Sequence, residues 1–524
     1  MKYLIAALAC AFSSVVLAAP PPAPQISVAA TDIRQLEFSW EPVRGAQRYE
    51  LWFQSAPRAQ WVKYTEQPAQ RAPLFRIGVP VHLLDWRQAR YYVKACSTAG
   101  CTPSNTVSVD GEQLAAMGFI KPRGPINHHY FGSNVAASAD GKTFAVLSSE
   151  TLGSTGITAT VHVYRKTTSS SGWRREARLV PSVIQPGTGQ PILGDPIAIS
   201  GDGNLVVLGA WTEHELDGSG KGAAENGAVY LFRRNGTAWT QTQRITWTKQ
   251  PGDRFGYVVK VDDAGRTLVV EHSHVGTDSR PGTLEVYRDA ENDGSDQFAH
   301  SASVPTAPAS DGEQLPFCAG IALSGNGQTL LRACHTSDPP TGYVQVLNAP
   351  DWSESASLSS SPTWGVDISF DGTTALVQDE ISADAWKLGP GGWTLEHRLD
   401  NGSGIPNFQR RHIALSRDGK IAVLGNSAEN SAGVGPVYPP YEFDEEHDAT
   451  GGAIVWERKP SGWVLRRLVK PGSTHWGLAG HSVALGDNGR LLIVGAPFDP
   501  SAATGIDGDR DDDSAPERGA VWVY

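Results

Sequence analysis

The chain has 524 residues, of which 19% are charged, and its formal net charge is −11 at pH 7. This acidic balance argues against a nucleic-acid backbone as the partner, because phosphates are attracted to basic patches. A chain of this length is expected to form several domains or a repeat array, and its apolar content argues against global disorder.

Residues 1–19 have the pattern of a secretory signal peptide. Lys2 supplies a positive start, residues 3–17 are mostly apolar, and Val16-Leu17-Ala18 places small residues where a signal peptidase reads them. The apolar run is short for a membrane anchor, and no later stretch approaches 18 apolar residues. The sequence therefore predicts an exported protein, periplasmic, cell-surface or extracellular, without a transmembrane segment after the signal.

Residues 20–110 contain short alternating strands separated by turn signals. The string FSWEPVRGAQRYELW includes Trp40, which is large enough to anchor a sandwich core, and RYYVKACSTAGCTPSNTVSV provides a late strand and its ending. Across this stretch the sequence resembles a fibronectin type III domain, which implies a β-sandwich. The tripeptide Arg-Gly-Asp is missing from the sequence, so no integrin-ligand role follows from the resemblance.

Residues 111–524 repeat one unit seven times. A turn glycine marks each copy. The first four are Gly141, Gly203, Gly265 and Gly327, and each of the last three lies 62 residues after the one before it. Each copy carries four strand signals, the third ending in an aromatic residue and the fourth often opening with Trp. Four-stranded sheets repeated in this way bury both faces when they are arranged radially, as in a propeller. The remaining turn glycines are Gly372, Gly419 and Gly489.

The repeat unit resembles the FG-GAP repeat of integrin α chains and bacterial secreted proteins. The name-giving pair stands at Phe131-Gly132 and Phe255-Gly256, and as Trp364-Gly365 and Trp476-Gly477, while VGAP stands at residues 494–497. The resemblance implies an all-β chain with a seven-bladed β-propeller after the sandwich. It also implies a non-enzymatic binding or adhesion role toward a protein or glycan ligand. A polysaccharide hydrolase or lyase is the alternative, because propellers host both classes.

Calcium is the candidate ion. Each hairpin turn offers one Asp, which is too few oxygens for a hard cation and is typical of a turn residue. The loop after VGAP is richer, and alternating carboxylates there could converge on one ion, although a solvated acidic loop is the competing interpretation. The predicted ligands are Asp507, Asp509, Asp511 and Asp513.

Catalytic motifs are weak. His272 and His274 would point to one side of a strand, but two histidines without a third ligand are insufficient for zinc. Neither a Ser-His-Asp nor a Cys-His set can be assembled from a recognisable motif. The sequence predicts no catalytic residues and no cofactor other than calcium.

The four cysteines of the mature chain are predicted to form two disulfides. Cys96 and Cys101 flank a short turn, and Cys318 and Cys334 lie on the two arms of one hairpin. Cross-strand spacing is near bridging distance, and exported proteins meet oxidising conditions.

Two further predictions concern the ends and the faces of the repeat. The last copy lacks a fourth strand, and residues 113–122 resemble the fourth-strand ending of the sixth copy, so this segment is expected to close the ring. Three long loops, 211–226, 426–451 and 498–518, lie on the face opposite the short turns and are expected to bind a protein or glycan ligand. The protein is expected to be a monomer. The binding residues predicted outside the acidic loop are Tyr438, Tyr441, Glu442, Asp444, Glu445 and Asp448.

Overall fold

The computed structural model describes residues 19–124, 128–152, 156–166, 172–183, 196–216, 222–247, 254–272, 283–289, 297–305, 317–337, 340–358, 363, 365–379, 382–400, 413–431, 433–439, 450–515 and 517–524. These residues form an all-β protein, and their helical element is a single 3₁₀ turn (Asp487–Gly489). Within them, no helix is long and apolar enough to cross a membrane. The signal peptide lies almost wholly outside the described residues.

The chain divides into two compact units. Unit 1 comprises Met1–Thr31, Gln35–Ile77 and Leu84–Glu112, and unit 2 comprises Asp32–Arg34, Gly78–Leu83 and Gln113–Tyr524. The sequence placed a single boundary at residue 110 and did not indicate the two short segments that join unit 2.

Unit 1 contains a three-stranded sheet, in the order β1-β2-β5, and a second sheet, β4-β3-β6-β7, with β8 paired to β6. Ring contacts join the two sheets, since Phe38 of β2 lies 4.8 Å from Tyr91 of β6. Trp40 is buried against Tyr49, as its position in an alternating strand predicts. The strands are β1 (Ile26–Asp32), β2 (Gln35–Trp40), β3 (Arg48–Gln54), β4 (Val62–Pro68), β5 (Leu74–Gly78), β6 (Arg90–Ser97), β7 (Gly100–Pro103) and β8 (Val107–Ser108).

The described residues of unit 2 form seven antiparallel sheets of four or five strands, called here the first to seventh in chain order. The first sheet is built from β10 (His128–His129), β11 (Val135–Ala137), β12 (Thr143–Leu152), β13 (Gly156–Arg165) and β14 (Arg174–Leu179). The second sheet is built from β15 (Ile197–Ile199), β16 (Leu205–Gly209), β19 (Ala228–Asn235) and β20 (Ala238–Thr246), with a separate hairpin of β17 (His214–Leu216) and β18 (Gly222–Glu225). The third sheet is built from β21 (Phe255–Val261), β22 (Thr267–His272), β23 (Thr283–Asp289) and β24 (Phe298–Pro305).

The fourth to seventh sheets repeat this plan. The fourth sheet is built from β25 (Phe317–Leu323), β26 (Thr329–Ser337), β27 (Pro340–Asn348) and β28 (Ser353–Leu358), and the fifth from β29 (Gly365–Ile368), β30 (Thr374–Gln378), β31 (Ser382–Gly389) and β32 (Gly392–Asp400). The sixth sheet is built from β33 (Ile413–Leu415), β34 (Ile421–Asn426), β35 (Pro436–Val437), β36 (Gly452–Lys459) and β37 (Gly462–Val469). The seventh sheet is built from β38 (Ser482–Gly486), β39 (Leu491–Ala496), β40 (Gly505–Ile506), β41 (Ala520–Val523) and β9 (Gly118–Lys121).

The first strands of the sheets form a ring. They are β11, β15, β21, β25, β29, β33 and β38, and each contacts the next, with β38 returning to β11. All of them line one central cavity. Unit 2 is therefore a β-propeller, in which each sheet packs its faces on its two neighbours.

The second strand of a sheet is buried on both sides. In β12, Phe144 and Val146 face the core shared with the seventh sheet, whereas Ala145 and Leu147 face the core shared with the second. Side chains alternate between the two faces of a strand. A strand between two neighbouring sheets therefore needs apolar residues at every position, which explains the continuous apolar runs in the sequence.

The turns between first and second strands repeat one hydrogen-bonded design. Ser200 Oγ donates to Asp202 Oδ1 (2.6 Å) and accepts a bond from Leu205 N (3.0 Å). The carboxylates at these turns therefore stabilise hairpins, as the single Asp per turn predicted. The same Ser-to-Asp or Ser-to-Asn bond occurs at Ser138–Asp140, Ser324–Asn326, Ser369–Asp371 and Ser416–Asp418.

Successive turns are also bonded to one another. Asp140 N donates to Gly201 O (3.3 Å), and Gly201 N donates to Asp263 O (2.9 Å). These bonds connect the sheets along the side of the ring that carries the turns, called here the turn face. The other links are Asp263–Gly325, Asn326–Phe370, Phe370–Arg417 and Asp487–Ala139.

The Phe-Gly pairs mark the places where neighbouring sheets cross. Phe131 forms a parallel bridge with Gly519, and a Cβ on Gly132 would overlap the carbonyl oxygen of Ala520. Only glycine permits backbones to approach so closely. In the seventh sheet Ala479 makes the equivalent bridge, to Gly451, so Ala479-Gly480 and not Trp476-Gly477 takes this position. The pair Trp476-Gly477 thus stands three residues before the crossing, which uses the glycine and not the aromatic side chain.

Closure of the ring by the segment before the first sheet is confirmed. β9 pairs antiparallel with β41, with Phe119 opposite Trp522, and serves as the fourth strand of the seventh sheet. Lys121 Nζ lies 2.8 Å from Asp499 Oδ1, and both side chains are buried. The first and last strands of unit 2 thus share one sheet, which removes two unpaired edges.

Both predicted disulfides are confirmed. Cys96 and Cys101 face each other in the β6–β7 pair and are bonded. Cys318 and Cys334 face each other in the β25–β26 pair and are bonded.

Candidate functional site

The central cavity of unit 2 is small and contains few charged side chains. Its volume is about 210 Å³, and Lys260 and Asp367 are its charged lining residues. The carboxylate of Asp367 accepts hydrogen bonds from Leu415 N (2.6 Å) and Ile368 N (2.9 Å). This side chain therefore joins the fifth sheet to the sixth.

An arginine crosses the ring on the turn face. Arg417 Nε of the sixth sheet lies 2.6 Å from Asp263 Oδ2 of the third, and its guanidinium lies 3.7 Å from the centre of the Phe370 ring. Burial raises the pKa of Asp263, and the ion pair with Arg417 opposes that shift. The charged groups at this end of the ring bind one another.

On the opposite side, called here the loop face, an acidic side chain at or after the second strand turns toward the fourth strand. In the first sheet Glu150 lies 2.8 Å from His162 Nε2 and forms an ion pair with Arg178. In the second sheet Glu213 accepts a hydrogen bond from Tyr230 Oη (2.5 Å) and pairs with Arg244.

The sixth and seventh sheets carry a related arrangement, in which the cation is a lysine two residues beyond the position of the arginine. Lys470 Nζ donates to Ser431 O (2.5 Å), and Ser431 N donates to Glu429 Oε1 (2.6 Å). Burial lowers the pKa of Lys470 to about 8, and Glu429 opposes the shift. Lys121 and Asp499 occupy the matching positions of the seventh sheet. Because related pairs recur from sheet to sheet, we interpret them as part of the architecture of the ring.

A serine, a histidine and a glutamate meet in the third sheet. Ser303 Oγ lies 3.3 Å from His300 Nε2, and Glu285 Oε2 lies 2.7 Å from the same nitrogen. A catalytic relay needs the nucleophile and the carboxylate on opposite ring nitrogens. Here both contact Nε2, and Ser303 also donates to Glu285 directly (2.5 Å), so the set does not fit a nucleophilic triad.

Glu285 also binds His272, one of the two histidines singled out in the sequence. His272 Nε2 lies 3.3 Å from Glu285 Oε1. Burial acts to raise the pKa of Glu285, but hydrogen bonds from the serine and the two histidines outweigh it and lower the pKa. His274 lies outside the described residues.

The acidic loop of the seventh sheet turns much of its polar surface to its own chain. Asp507 Oδ1 accepts a hydrogen bond from Phe119 N (2.9 Å), and burial raises the pKa of Asp507. Asp509 Oδ1 accepts a bond from Asp511 N (3.1 Å). These carboxylates position β9 and the loop.

The described residues do not gather a calcium site from this loop. One group of three acidic or sulfur side chains has ligand atoms close enough together for a metal, and it consists of Glu50, Cys96 and Cys101 in unit 1. Its two sulfurs are bonded to each other and are therefore not free ligands. Within the described residues, Asp507, Asp509, Asp511 and Asp513 do not form such a group, and calcium binding by this loop stays a prediction.

Of the other predicted binding residues, Tyr438 is described. It is partly exposed, and the guanidinium of the buried Arg467 lies 4.8 Å from the centre of its ring. Tyr438 therefore packs on an arginine of its own sheet. Tyr441, Glu442, Asp444, Glu445 and Asp448 lie outside the described residues.

The sequence analysis missed an aromatic patch on the loop face, at the boundary of the seventh and first sheets. The patch consists of Tyr130, Trp476 and Phe498. The ring of Phe498 lies 5.4 Å from that of Tyr130 and 5.3 Å from that of Trp476, which is 45% exposed. Tyr130 Oη also lies 3.4 Å from Glu517 Oε2.

Positions beside the repeat motifs bring these three rings together. Tyr130 precedes Phe131-Gly132, Phe498 follows the VGAP string, and Trp476 precedes the crossing glycine of the seventh sheet. The sequence signal was available at each position. The three positions could be recognised as one patch only by placing the first sheet beside the seventh.

The comparisons with known proteins concern the fold. Neither the comparison with known protein families nor that with curated proteins finds a match. Among solved structures, the chain is similar to the Dos1 propeller, with 10% identity, 77% of this chain and 94% of that chain covered, and a TM-score of 0.41. The chain is also similar to a functionally unknown protein from Desulfotomaculum acetoxidans, with 12% identity, 74% of this chain and 98% of that chain covered, and a TM-score of 0.37. A third similar structure is an oligogalacturonate lyase in complex with manganese, with 10% identity, 78% of this chain and 94% of that chain covered, and a TM-score of 0.36. Identities and TM-scores this low give no basis for carrying over an activity.

Proposed function

We propose that this protein is an exported, non-enzymatic binding module that recognises a protein or glycan ligand through the loop face of unit 2. It would combine a fibronectin type III-like sandwich with a seven-bladed propeller of the FG-GAP type and act as a monomer. The observation that carries the proposal is the aromatic patch, because a half-exposed Trp476 packed on Phe498, which in turn packs on Tyr130, is typical of a recognition site.

The scaffold supports a binding role. Loops on a rigid framework commonly carry recognition, and unit 2 is held by turn-to-turn bonds and by a closing strand. Two disulfides are compatible with export, since such bonds persist in oxidising compartments.

The buried titratable groups favour binding over catalysis. The acid–base sets of the first and second sheets match each other in position, and so do those of the sixth and seventh sheets. An active site requires a unique set of converging groups. The Ser303, His300 and Glu285 set has the wrong geometry for a relay.

The test compares the parent with Trp476→Ala in a glycan-array screen and a peptide-array screen, together with a hydrolysis assay on polysaccharides. Leu395→Ala is the matched control, because Leu395 is a similarly exposed apolar side chain, 51% exposed, away from the patch. We expect a ligand whose affinity falls by about 5-fold or more in Trp476→Ala, as for a truncated aromatic contact, and stays unchanged in Leu395→Ala. Sugar release by the parent would contradict the proposal, as would a ligand that binds both variants equally.

A further inference from the structure

We propose that the aromatic patch binds a positively charged segment of a partner protein, through an arginine or lysine side chain placed on the ring of Trp476. The inference rests on the proposed function and names the ligand class for that same face. Three observations carry it: an internal counterpart of the site, an uncovered ring, and the charge of the adjoining loop.

The internal counterpart lies at the boundary of the second and third sheets. There Arg254 places its guanidinium 5.1 Å from the centre of the Trp211 ring, and the Tyr257 ring lies 5.5 Å from the same Trp. A cation over an aromatic face is attracted by the electron-rich ring. The chain thus fills this position with its own guanidinium.

The two boundaries are equivalent in backbone geometry. Arg254 and Tyr130 both adopt a left-handed conformation, with φ of 45° and 57°. Each is followed by a Phe that bridges in parallel to the preceding sheet, Phe255 to Gly227 and Phe131 to Gly519. At this position the boundary of the second and third sheets carries Arg254, and the boundary of the seventh and first sheets carries the neutral Tyr130.

This replacement leaves the patch without a cation of its own. Trp211 is 9% exposed beneath its arginine, whereas Trp476 is 45% exposed. Among the described residues, no lysine or arginine lies over the ring of Tyr130, Trp476 or Phe498. Another tyrosine of the loop face, Tyr438, also carries an arginine, at 4.8 Å. Rings on this face therefore accept guanidinium groups, and the patch has one such position open to a partner.

The adjoining loop attracts positive charge. Residues 498–518 contain seven carboxylates and two arginines, a formal net charge of −5. Both arginines bind backbone carbonyls of their own unit, Arg510 at Leu114 O (3.4 Å) and Arg518 at Ala502 O (2.8 Å). Charge complementarity steers and selects partners. A neutral glycan would gain nothing from this charge, which is why the charge favours a basic peptide over a sugar.

The test uses the full mature chain and a labelled hexa-arginine peptide at 0.15 M salt, with a neutral oligosaccharide array in parallel. Trp476→Ala should weaken peptide binding by about 3- to 10-fold, the range of one cation–π contact. Trp476→Phe should retain affinity to within about 2-fold, because it preserves an aromatic face. Glu517→Gln should weaken binding by about 3-fold, because it removes a carboxylate beside the patch.

Two controls separate the patch from general attraction to an acidic protein. Leu395→Ala removes an exposed apolar side chain elsewhere, and Asp110→Asn removes an exposed carboxylate of unit 1. Both should bind as the parent does, and a thermal melt of each variant verifies folding.

The outcomes distinguish this inference from the proposed function. Equal peptide affinity of the parent and Trp476→Ala overturns the inference, because it shows only non-specific attraction. Trp476-dependent binding of a neutral oligosaccharide without peptide binding also overturns it but leaves the proposed function standing. If no ligand of any class depends on Trp476, both fail.

Discussion

The turn face and the loop face of unit 2 differ in how strictly they repeat. On the turn face the same serine-to-carboxylate bond recurs, 2.6 Å at Ser200–Asp202 and 2.7 Å at Ser416–Asp418. On the loop face the acid–base pairs recur, but the side chains above them change from sheet to sheet. Features that recur around a ring report on architecture. A feature that occurs at one boundary is where a specific ligand can be selected.

Three boundaries share a left-handed residue, at Tyr130, Arg254 and Leu478, and two of them make this contrast sharper. Arg254 covers the ring of Trp211, whereas at the boundary that carries Tyr130 the ring of Trp476 is 45% exposed. Substitutions on each face separate its contribution to stability from that of the other face.

Breaking the buried pair that closes the ring should have the largest effect. Asp499→Ala leaves the Lys121 ammonium, whose side chain is 1% exposed, without its carboxylate. Removing one partner of a buried ion pair costs about 3–5 kcal/mol. The measurement is the urea midpoint of unit 2, followed by tryptophan fluorescence.

The control for this change is Lys142→Ala on the turn face. Lys142 Nζ lies 3.5 Å from Asp140 Oδ2, but its side chain is 61% exposed, so its loss should change stability by about 0.5 kcal/mol or less. Equal midpoints for Asp499→Ala and Lys142→Ala would show that the closing strand is not held by the buried pair.

A methyl group at a sheet crossing should come next. In Gly495→Ala the new Cβ would overlap the carbonyl oxygen of Gly132 in the neighbouring sheet. Backbone atoms cannot rotate away as a side chain can, so we expect a loss of about 3 kcal/mol. Gly389→Ala is matched, because no atom lies within 4 Å of its Cβ; a similar loss there would point to glycine flexibility and not to the crossing.

The repeated turns should contribute less at any single position. Ser200→Ala removes a buried hydroxyl that bonds Asp202 Oδ1 and Leu205 N, which should lower the free energy of unfolding by about 1–2 kcal/mol. Ser461 is an exposed turn serine, and Ser461→Ala should be nearly neutral. If Ser200→Ala is also neutral, the serine bonds that recur in five of the described turns do not stabilise the hairpins.

Local features of the fold could be predicted from the sequence, because strands, turns and cross-strand cysteines depend on neighbouring positions. Ring closure could also be predicted, from the likeness of residues 113–122 to the end of the sixth copy. The crossing pair Ala479-Gly480 could not, because the aromatic residue of the motif is dispensable where backbones meet.

The candidate site was less accessible to sequence reasoning. The acidic loop attracted attention through its carboxylates, but Asp507 uses its carboxylate to bind Phe119 N. The aromatic patch joins Tyr130 to Phe498, which lie near opposite ends of unit 2 in the sequence. Their contact depends on the order of the sheets around the ring and on no local pattern.

The smallest effect we expect is a pH dependence at the boundary that carries the patch. Burial lowers the pKa of His481 from 6.5 to about 4, and its Nδ1 lies 3.2 Å from Ser133 O. The unfolded chain takes up a proton below pH 6.5, whereas the folded chain does so only near pH 4. The stabilisation is therefore complete above pH 6.5 and decreases as the pH falls toward 4. Because the residue keeps part of its surface exposed, we scale the loss at pH 5 to about 1 kcal/mol. His481→Gln keeps a donor for Ser133 O but cannot titrate, and the carboxylates contribute equally to both proteins. Urea midpoints of the parent and the variant should thus converge as the pH falls from 7 to 5, and parallel curves would show that His481 does not report on this boundary.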